Sequence, residues 1–287
     1  MLVIIVVVLF FLRKTIVQHV FTPRKKQNNK KPMHPYEDIE IKLDAGIVRG
    51  WLIKHERARG TFILLHGWGS NKSAMLRYEE GLTLENYNVL IIDVLGHGAS
   101  DTPNKQVSIE TFVHCLTATI DYIAKRQELP IYVLGHSMGG VAASILGSLD
   151  SRIHILVTDS MPTSLKSISQ AMTGKLSLPY MLIGWLFTSW FLLRGGVFIK
   201  TSREWNFRKI LSSQQAPALA IHSIYDSKVS ASNTDLLEKE SNFKQITLTS
   251  TPGHNRCVED AMFWKTVNQF IRENNLKGKG DNRDGTF

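Results

Sequence analysis

Residues 131–147 read IYVLGHSMGGVAASILG. Ile131–Leu134 is a short apolar run of strand length, and a run of small residues with helical character follows from Gly139. Between them stands Gly135-His136-Ser137-Met138-Gly139, a G-x-S-x-G. A serine held there sits on a sharp strand-to-helix turn, and side chains two positions to either side would collide with the flanking strand and helix. The pattern predicts Ser137 as a nucleophile in preference to an ordinary strand–helix turn.

A serine hydroxyl needs a base to take its proton and an acid to orient that base. The chain supplies both downstream. His254, in Thr251-Pro-Gly253-His254-Asn255 after an apolar run, is the expected base rather than a surface-loop histidine. Asp226, in Ser223-Ile-Tyr-Asp226 just past Ala218–His222, is the expected acid, and Asp159, past Ile153–Thr158, is its rival. An oxyanion needs two backbone N–H donors. Met138, directly after the nucleophile at a helix start, is one. Trp68, in His66-Gly67-Trp68-Gly69-Ser70, is the other, and its indole is placed to wall the substrate pocket.

Working outward, Asp38–Leu43 alternates with period two, Asp44-Ala-Gly46 supplies a turn, and Ile47–Ile53 follows, predicting an antiparallel hairpin. Thr61–Leu65, Asn88–Ile92, Ile131–Leu134, Ile153–Thr158, Ala218–His222 and Lys244–Leu248 are apolar runs that suit strands covered on both faces. Helical patterns lie over 106–127, 139–149, 232–240 and 258–271, with Phe112, Leu116, Ile120 and Ile123 on one stripe of the first. The prediction is an α/β fold with about eight strands, antiparallel at the start and otherwise parallel.

The 287 residues carry 34 Lys and Arg against 25 Asp and Glu, a net +9. Arg13, Lys14, Arg24, Lys25, Lys26, Lys30 and Lys31 give +7 to residues 1–36, which hold no acid, so 9 − 7 leaves +2 for the rest. A nearly neutral body excludes a nucleic-acid surface. Residues 1–21 begin with twelve apolar positions and read as a membrane anchor, with the basic cluster on the cytoplasmic side drawn to anionic lipid. Residues 22–35 read as a basic linker and 274–287 as a flexible tail. Cys115 and Cys257 are expected as reduced thiols.

The His-Gly-Trp-Gly loop at 66–69, the Asp93-Val-Leu-Gly-His-Gly98-Ala-Ser100 turn, the Gly-His-Ser-Met-Gly elbow and the Asp226 and His254 loops resemble the α/β-hydrolases in content and order. Within that superfamily the chain is similar to monoacylglycerol-lipase-like and serine-aminopeptidase-like esterases. Ser223-Ile224 departs from relatives that often have a glycine after the histidine. The resemblance, over about 36–273, implies an eight-stranded sheet, a Ser–Asp–His triad and a cap inserted after the sixth strand, at residues 160–212.

Leu178–Ile199 in that cap is apolar enough to span a membrane by length alone. A span there would put Ser137 and His254 on opposite sides of the bilayer, so the stretch reads as a lid over an acyl pocket. His66, His97, His136 and His222 read as structural. No spacing calls for a metal, a nucleotide or any other cofactor. The expected activity is hydrolysis of an apolar or lipid-like acyl ester at the membrane. An aminopeptidase, a thioesterase and a non-catalytic binding module on the same fold are the alternatives.

Overall fold

The structure is a computed structural model that describes residues 7, 10–11, 23, 25–104, 107–164, 167–168, 207–237, 243–248 and 250–280. Most of the expected anchor (1–21), most of the expected cap (165–166 and 169–206) and residues 281–287 lie outside the described residues. Among those described, no helix is long and apolar enough to cross a membrane.

The strands are β1 (Tyr36–Leu43), β2 (Gly46–Ile53), β3 (Thr61–Leu65), β4 (Asn88–Ile92), β5 (Ile131–His136), β6 (Ile153–Asp159), β7 (Ala218–Ser223) and β8 (Phe243–Leu248). They form one sheet in the order β1-β2-β4-β3-β5-β6-β7-β8. β2 is antiparallel to β1 and β4, and the pairs from β4 through β8 are parallel. This is the mostly parallel eight-stranded α/β sheet that the strand patterns predicted, in the arrangement that the resemblance to α/β-hydrolases implied.

Why β3 reads as unbroken apolar sequence is visible in its packing. Phe62 and Leu64 face one core with Met75, Tyr78, Leu82, Phe263 and Val267. Ile63 and Leu65 face the other, with Phe112, Leu116, Ile120, Val141 and Ile145. Alternate side chains of a strand point to opposite faces, so a strand covered on both sides must be apolar throughout.

The helices are α1 (Lys72–Met75), α2 (Glu79–Thr83), α3 (Ile109–Ala124), α4 (Met138–Gly147), α5 (Phe207–Ser212) and α6 (Ala261–Gly280). In α3 the predicted stripe Phe112, Leu116, Ile120 and Ile123 is buried. Ser108 starts that helix with a capping box, its side chain accepting from Thr111 N while Thr111 Oγ1 accepts from Ser108 N. The helix pattern over 232–240 differs from the outcome, because Ala231–Leu236 is a 3₁₀ helix.

Three expected boundaries shift. The linker is a strap: Lys25 Nζ donates to Ser100 O at 2.5 Å, and Asn28 Nδ2 to Asp93 Oδ2 at 2.9 Å. The Met33 and His34 amides both donate to Glu79 Oε1 at 2.9 Å. At the cap's end, Ile210 and Leu211 of α5 join the main core, and Gln214 Nε2 donates to Ser144 O of α4. At the carboxyl end, α6 continues through Gly280, past the expected limit of the folded domain. Asn274 there donates to Phe270 O at 2.8 Å, and Asn275 to the Tyr132 hydroxyl at 3.2 Å.

Chain direction places the site. From β3 the chain moves to β4 on one side, then crosses back over β3 to β5 on the other. The carboxyl ends of β3 and β5 therefore flank the crevice where open α/β sheets receive ligands.

Candidate active site

Ser137 follows the last residue of β5 and precedes the first of α4, with φ 53° and ψ −119°. That left-handed backbone is costly for a residue with a side chain and persists only where the surroundings hold it. Ser137 N donates to Asp159 O at 2.8 Å, while Ser137 O accepts from Gly140 N at 2.9 Å and Val141 N at 3.2 Å. The flanking glycines have a measurable reason. A Cβ on Gly135 would stand 2.5 Å from Gly139 O, and one on Gly139 would stand 2.2 Å from Leu65 O.

Asp226 and His254 come together although their segments are far apart in the chain. His254 Nδ1 lies 2.7 Å from Asp226 Oδ2. A carboxylate only accepts, so Nδ1 carries the proton and Nε2 is left as the basic nitrogen. The other Asp226 oxygen, Oδ1, accepts from Lys228 N at 2.8 Å and Val229 N at 3.0 Å. Burial by itself would raise the Asp226 carboxyl. The His254 hydrogen bond and charge, with those two amides, outweigh burial and hold it below its ordinary value.

Asp159 is engaged elsewhere. Its Oδ2 accepts from Tyr78 OH at 2.5 Å and its Oδ1 from Ser160 OH at 2.8 Å. Behind it, Arg77 Nη2 donates to the Tyr78 oxygen at 3.1 Å. Of the two carboxylates, Asp226 is therefore the one that meets the imidazole.

Met138 opens α4, and Trp68 lies in the loop after β3, stacked on Phe112 at 6.3 Å between centroids. Both line one cavity of about 400 Å³ with Ser137 and His254. Buried histidines hold the loops around it. His97 Nε2 accepts from Gly69 N at 3.1 Å, and its Nδ1 lies 3.3 Å from Leu95 O. His66 Nε2 accepts from Val94 N at 3.1 Å, with Nδ1 2.8 Å from Gly67 O. His136 Nε2 lies 2.9 Å from the His254 carbonyl, and His222 Nε2 lies 2.7 Å from Val229 O. Burial lowers the imidazole of His97 to about 3, aided by the neighbouring His66. Burial also lowers His66 and holds His136 well below its ordinary value.

Sequence reasoning missed several parts. Asp93, fully buried past β4, accepts from Lys72 N at 2.6 Å, Lys72 Nζ at 2.9 Å, Ala99 N at 2.8 Å and Asn28 Nδ2 at 2.9 Å. Lys26 of the strap and Lys228 line the same cavity as Ser137, with Pro162 and Ile168 from the start of the expected cap. The Asp93 turn stood out as a motif, but nothing local in the sequence announces Asn28 and Lys72 as the partners of Asp93, or Tyr78 as the partner of Asp159. Among the described residues, no group of three or more His, Cys, Asp or Glu is arranged to hold a metal. Cys115 and Cys257 are buried free thiols.

Residues 56–171 match the family described as serine aminopeptidase, S33. A Mycoplasma pneumoniae protein assigned by name as an esterase/lipase is 29% identical over 105 residues, 36% of this chain and 38% of that protein. The matched stretch thus spans well under half of that relative. Among solved structures, the Pyrococcus furiosus esterase Pf2001 aligns with a TM-score of 0.69 at 24% identity, covering 88% of this chain and 98% of its own. Est1E from Butyrivibrio proteoclasticus, solved with ferulic acid bound, aligns with a TM-score of 0.66 at 19% identity, covering 83% of this chain and 99% of its own. These likenesses establish the fold.

Proposed function

We propose that this α/β-hydrolase is a serine hydrolase cleaving carboxylic acyl esters of apolar or lipid-like character. The observation that carries the reading is the 2.7 Å Asp226–His254 pair opening onto the same cavity as the strained Ser137. In this mechanism Ser137 Oγ attacks the ester carbonyl carbon and His254 Nε2 takes the hydroxyl proton. The developing oxyanion is held by the Met138 and Trp68 amides. Collapse expels the alcohol, which receives the proton from His254 and leaves an acyl group on Ser137. Water, deprotonated by the same nitrogen, then releases the acid and restores the serine. Asp226 keeps His254 in the required tautomer throughout.

The family match also brings an aminopeptidase reading. A peptide N-terminus needs a carboxylate to hold its ammonium group, and the described cavity lining contains none. That favours the ester. Trp68, Met138, Pro162 and Ile168 supply apolar wall for an acyl chain. The apolar start and basic cluster of residues 1–36 support a membrane-associated enzyme with its catalytic domain on the cytoplasmic side, and recovery of the full chain in the soluble fraction after gentle lysis would end that part.

A fluorophosphonate probe tests the chemistry. Labelling of Ser137 is expected in the wild type and absent in Ser137→Ala. Asp226→Asn is expected to lower ester turnover by on the order of 10⁴-fold. Asp159→Asn, which leaves the Asp226–His254 pair untouched, is expected to retain far more activity. No adduct on folded protein refutes the hydrolase reading, and the opposite ranking of the two variants reassigns the acid.

A further inference from the structure

The catalytic cavity carries positive charge that the chemistry of Ser137, His254 and Asp226 does not use. Its described lining includes Lys26 and Lys228 and no acidic residue. Neither lysine forms an ion pair among the described residues. Asp226, the nearby carboxylate, is buried beneath His254 with its oxygens taken by the imidazole and two amides.

Both lysines rise from backbone that is held in place. Asn71 Nδ2 donates to Lys26 O at 3.1 Å and to Gln27 O at 2.9 Å, and Asn28 is tied to Asp93 two residues further on. These bonds fix the strap beside the Gly69–Ser70 part of the lining. Lys228 N donates to Asp226 Oδ1, so this lysine is built into the loop that positions the base. His136, which burial holds well below its ordinary value, lines the same cavity as Lys228.

We infer that the ester taken by Ser137 bears an anionic group, a phosphate or a carboxylate, and that Lys26 and Lys228 are the cations that hold it. An ammonium on a solvent-facing wall gains from a substrate anion because its partner arrives with the ligand and the backbone beneath it is already placed. The apolar residues of the same cavity receive the acyl chain, so the substrate class is an amphipathic ester, apolar at one end and anionic at the other. The inference rests on the hydrolase reading.

The test uses monomeric short-chain ester pairs, so that no lipid surface is present. 1-Butyrylglycerol and 1-butyrylglycerol 3-phosphate place the anion on the alcohol side. 4-Nitrophenyl butyrate and 4-nitrophenyl hemisuccinate place it on the acyl side. For at least one pair, kcat/KM for the anionic ester is expected to exceed that for the neutral one. That ratio is expected to fall on the order of tenfold in Lys26→Gln and in Lys228→Gln, mainly through KM, and to shrink with added salt. Lys125→Gln, at the end of α3 remote from the strand ends that carry the site, is expected to keep the ratio.

Neutral-ester turnover with no anionic preference in either pair, or a ratio unmoved by both cavity substitutions, overturns the inference and leaves the hydrolase reading standing. Failure of every ester, together with no fluorophosphonate adduct on folded protein, overturns both.

Discussion

Acidification from about pH 7 to about pH 5 is expected to destabilise this fold through its buried histidines, and His97 gives a calculable share. Its imidazole is lowered from 6.5 to about 3, mainly by burial. The unfolded chain binds a proton on His97 as pH falls through 6.5, while the folded chain refuses it until near 3. The sign follows from linkage: stability is lost as pH decreases wherever the unfolded state binds more protons. At pH 5 the pH lies about 1.5 units below the unfolded value, and at about 1.36 kcal/mol per unit the loss from His97 alone is about 2 kcal/mol. His66 and His136, also lowered by burial, act in the same direction. Asp93 and Asp226 lie below their ordinary value of 3.8 and so add their losses only in stronger acid.

Urea unfolding at about pH 7, 6 and 5 measures the effect directly. His97→Gln is the informative variant, because an amide oxygen replaces Nε2 as the acceptor for Gly69 N without a titrating group. The pH slope of its unfolding free energy is expected to be shallower than that of the wild type by the His97 share, about 2 kcal/mol over this interval. Equal slopes in the two proteins would refute the reasoning. So would an NMR titration in which the folded-state His97 ring gains its proton above pH 5.

Gly139→Ala brings a Cβ to 2.2 Å from Leu65 O, so α4 and its Met138 amide must retreat from β3. A shift of about 1 Å at the reacting groups is expected to cost on the order of 10²-fold in kcat/KM, and an unchanged value on 4-nitrophenyl butyrate would disprove the close-approach argument. Asn28→Ala removes one donor from the buried Asp93 carboxylate and unties the strap. A loss of about 1–2 kcal/mol is expected, read as a Tm lower by a few degrees, together with faster tryptic cleavage at Lys25 and Lys26. Unchanged Tm and cleavage would show that the strap is held without this bond.

What could be read from the sequence is what short-range physics encodes. β3, β4 and β5 announce themselves because strands buried on both faces are almost wholly apolar, and the Ser137 turn because a tight elbow demands small neighbours. The stripe on α3 shows at its own period. The strap was invisible for the complementary reason. Prolines and lysines at 22–35 do describe a segment that forms neither helix nor strand, but its order comes from Asn71, Asp93 and Glu79, far along the chain. Position at or just past a strand end marks both Asp226 and Asp159 as candidate acids. What separates them, Tyr78 and Ser160 occupying Asp159, required the fold.

The choice between those two carboxylates leads to a division of labour at one edge of the sheet. Asp93, Asp159 and Asp226 lie at or just past the carboxyl ends of β4, β6 and β7, and all three are buried. A buried carboxylate without donors costs several kcal/mol, so each must organise groups around itself. Asp93 gathers Lys72, Ala99 and Asn28, joining the turn after β4 to the start of α1 and to the strap. Asp159 gathers Tyr78 and Ser160, while its carbonyl receives the Ser137 amide and steadies the strained elbow. Asp226 gathers Lys228, Val229 and His254. Only the last directs its charge at a residue that borders the cavity and also bears a titratable nitrogen. The other two hold in place the loops and the turn against which that nitrogen has to work.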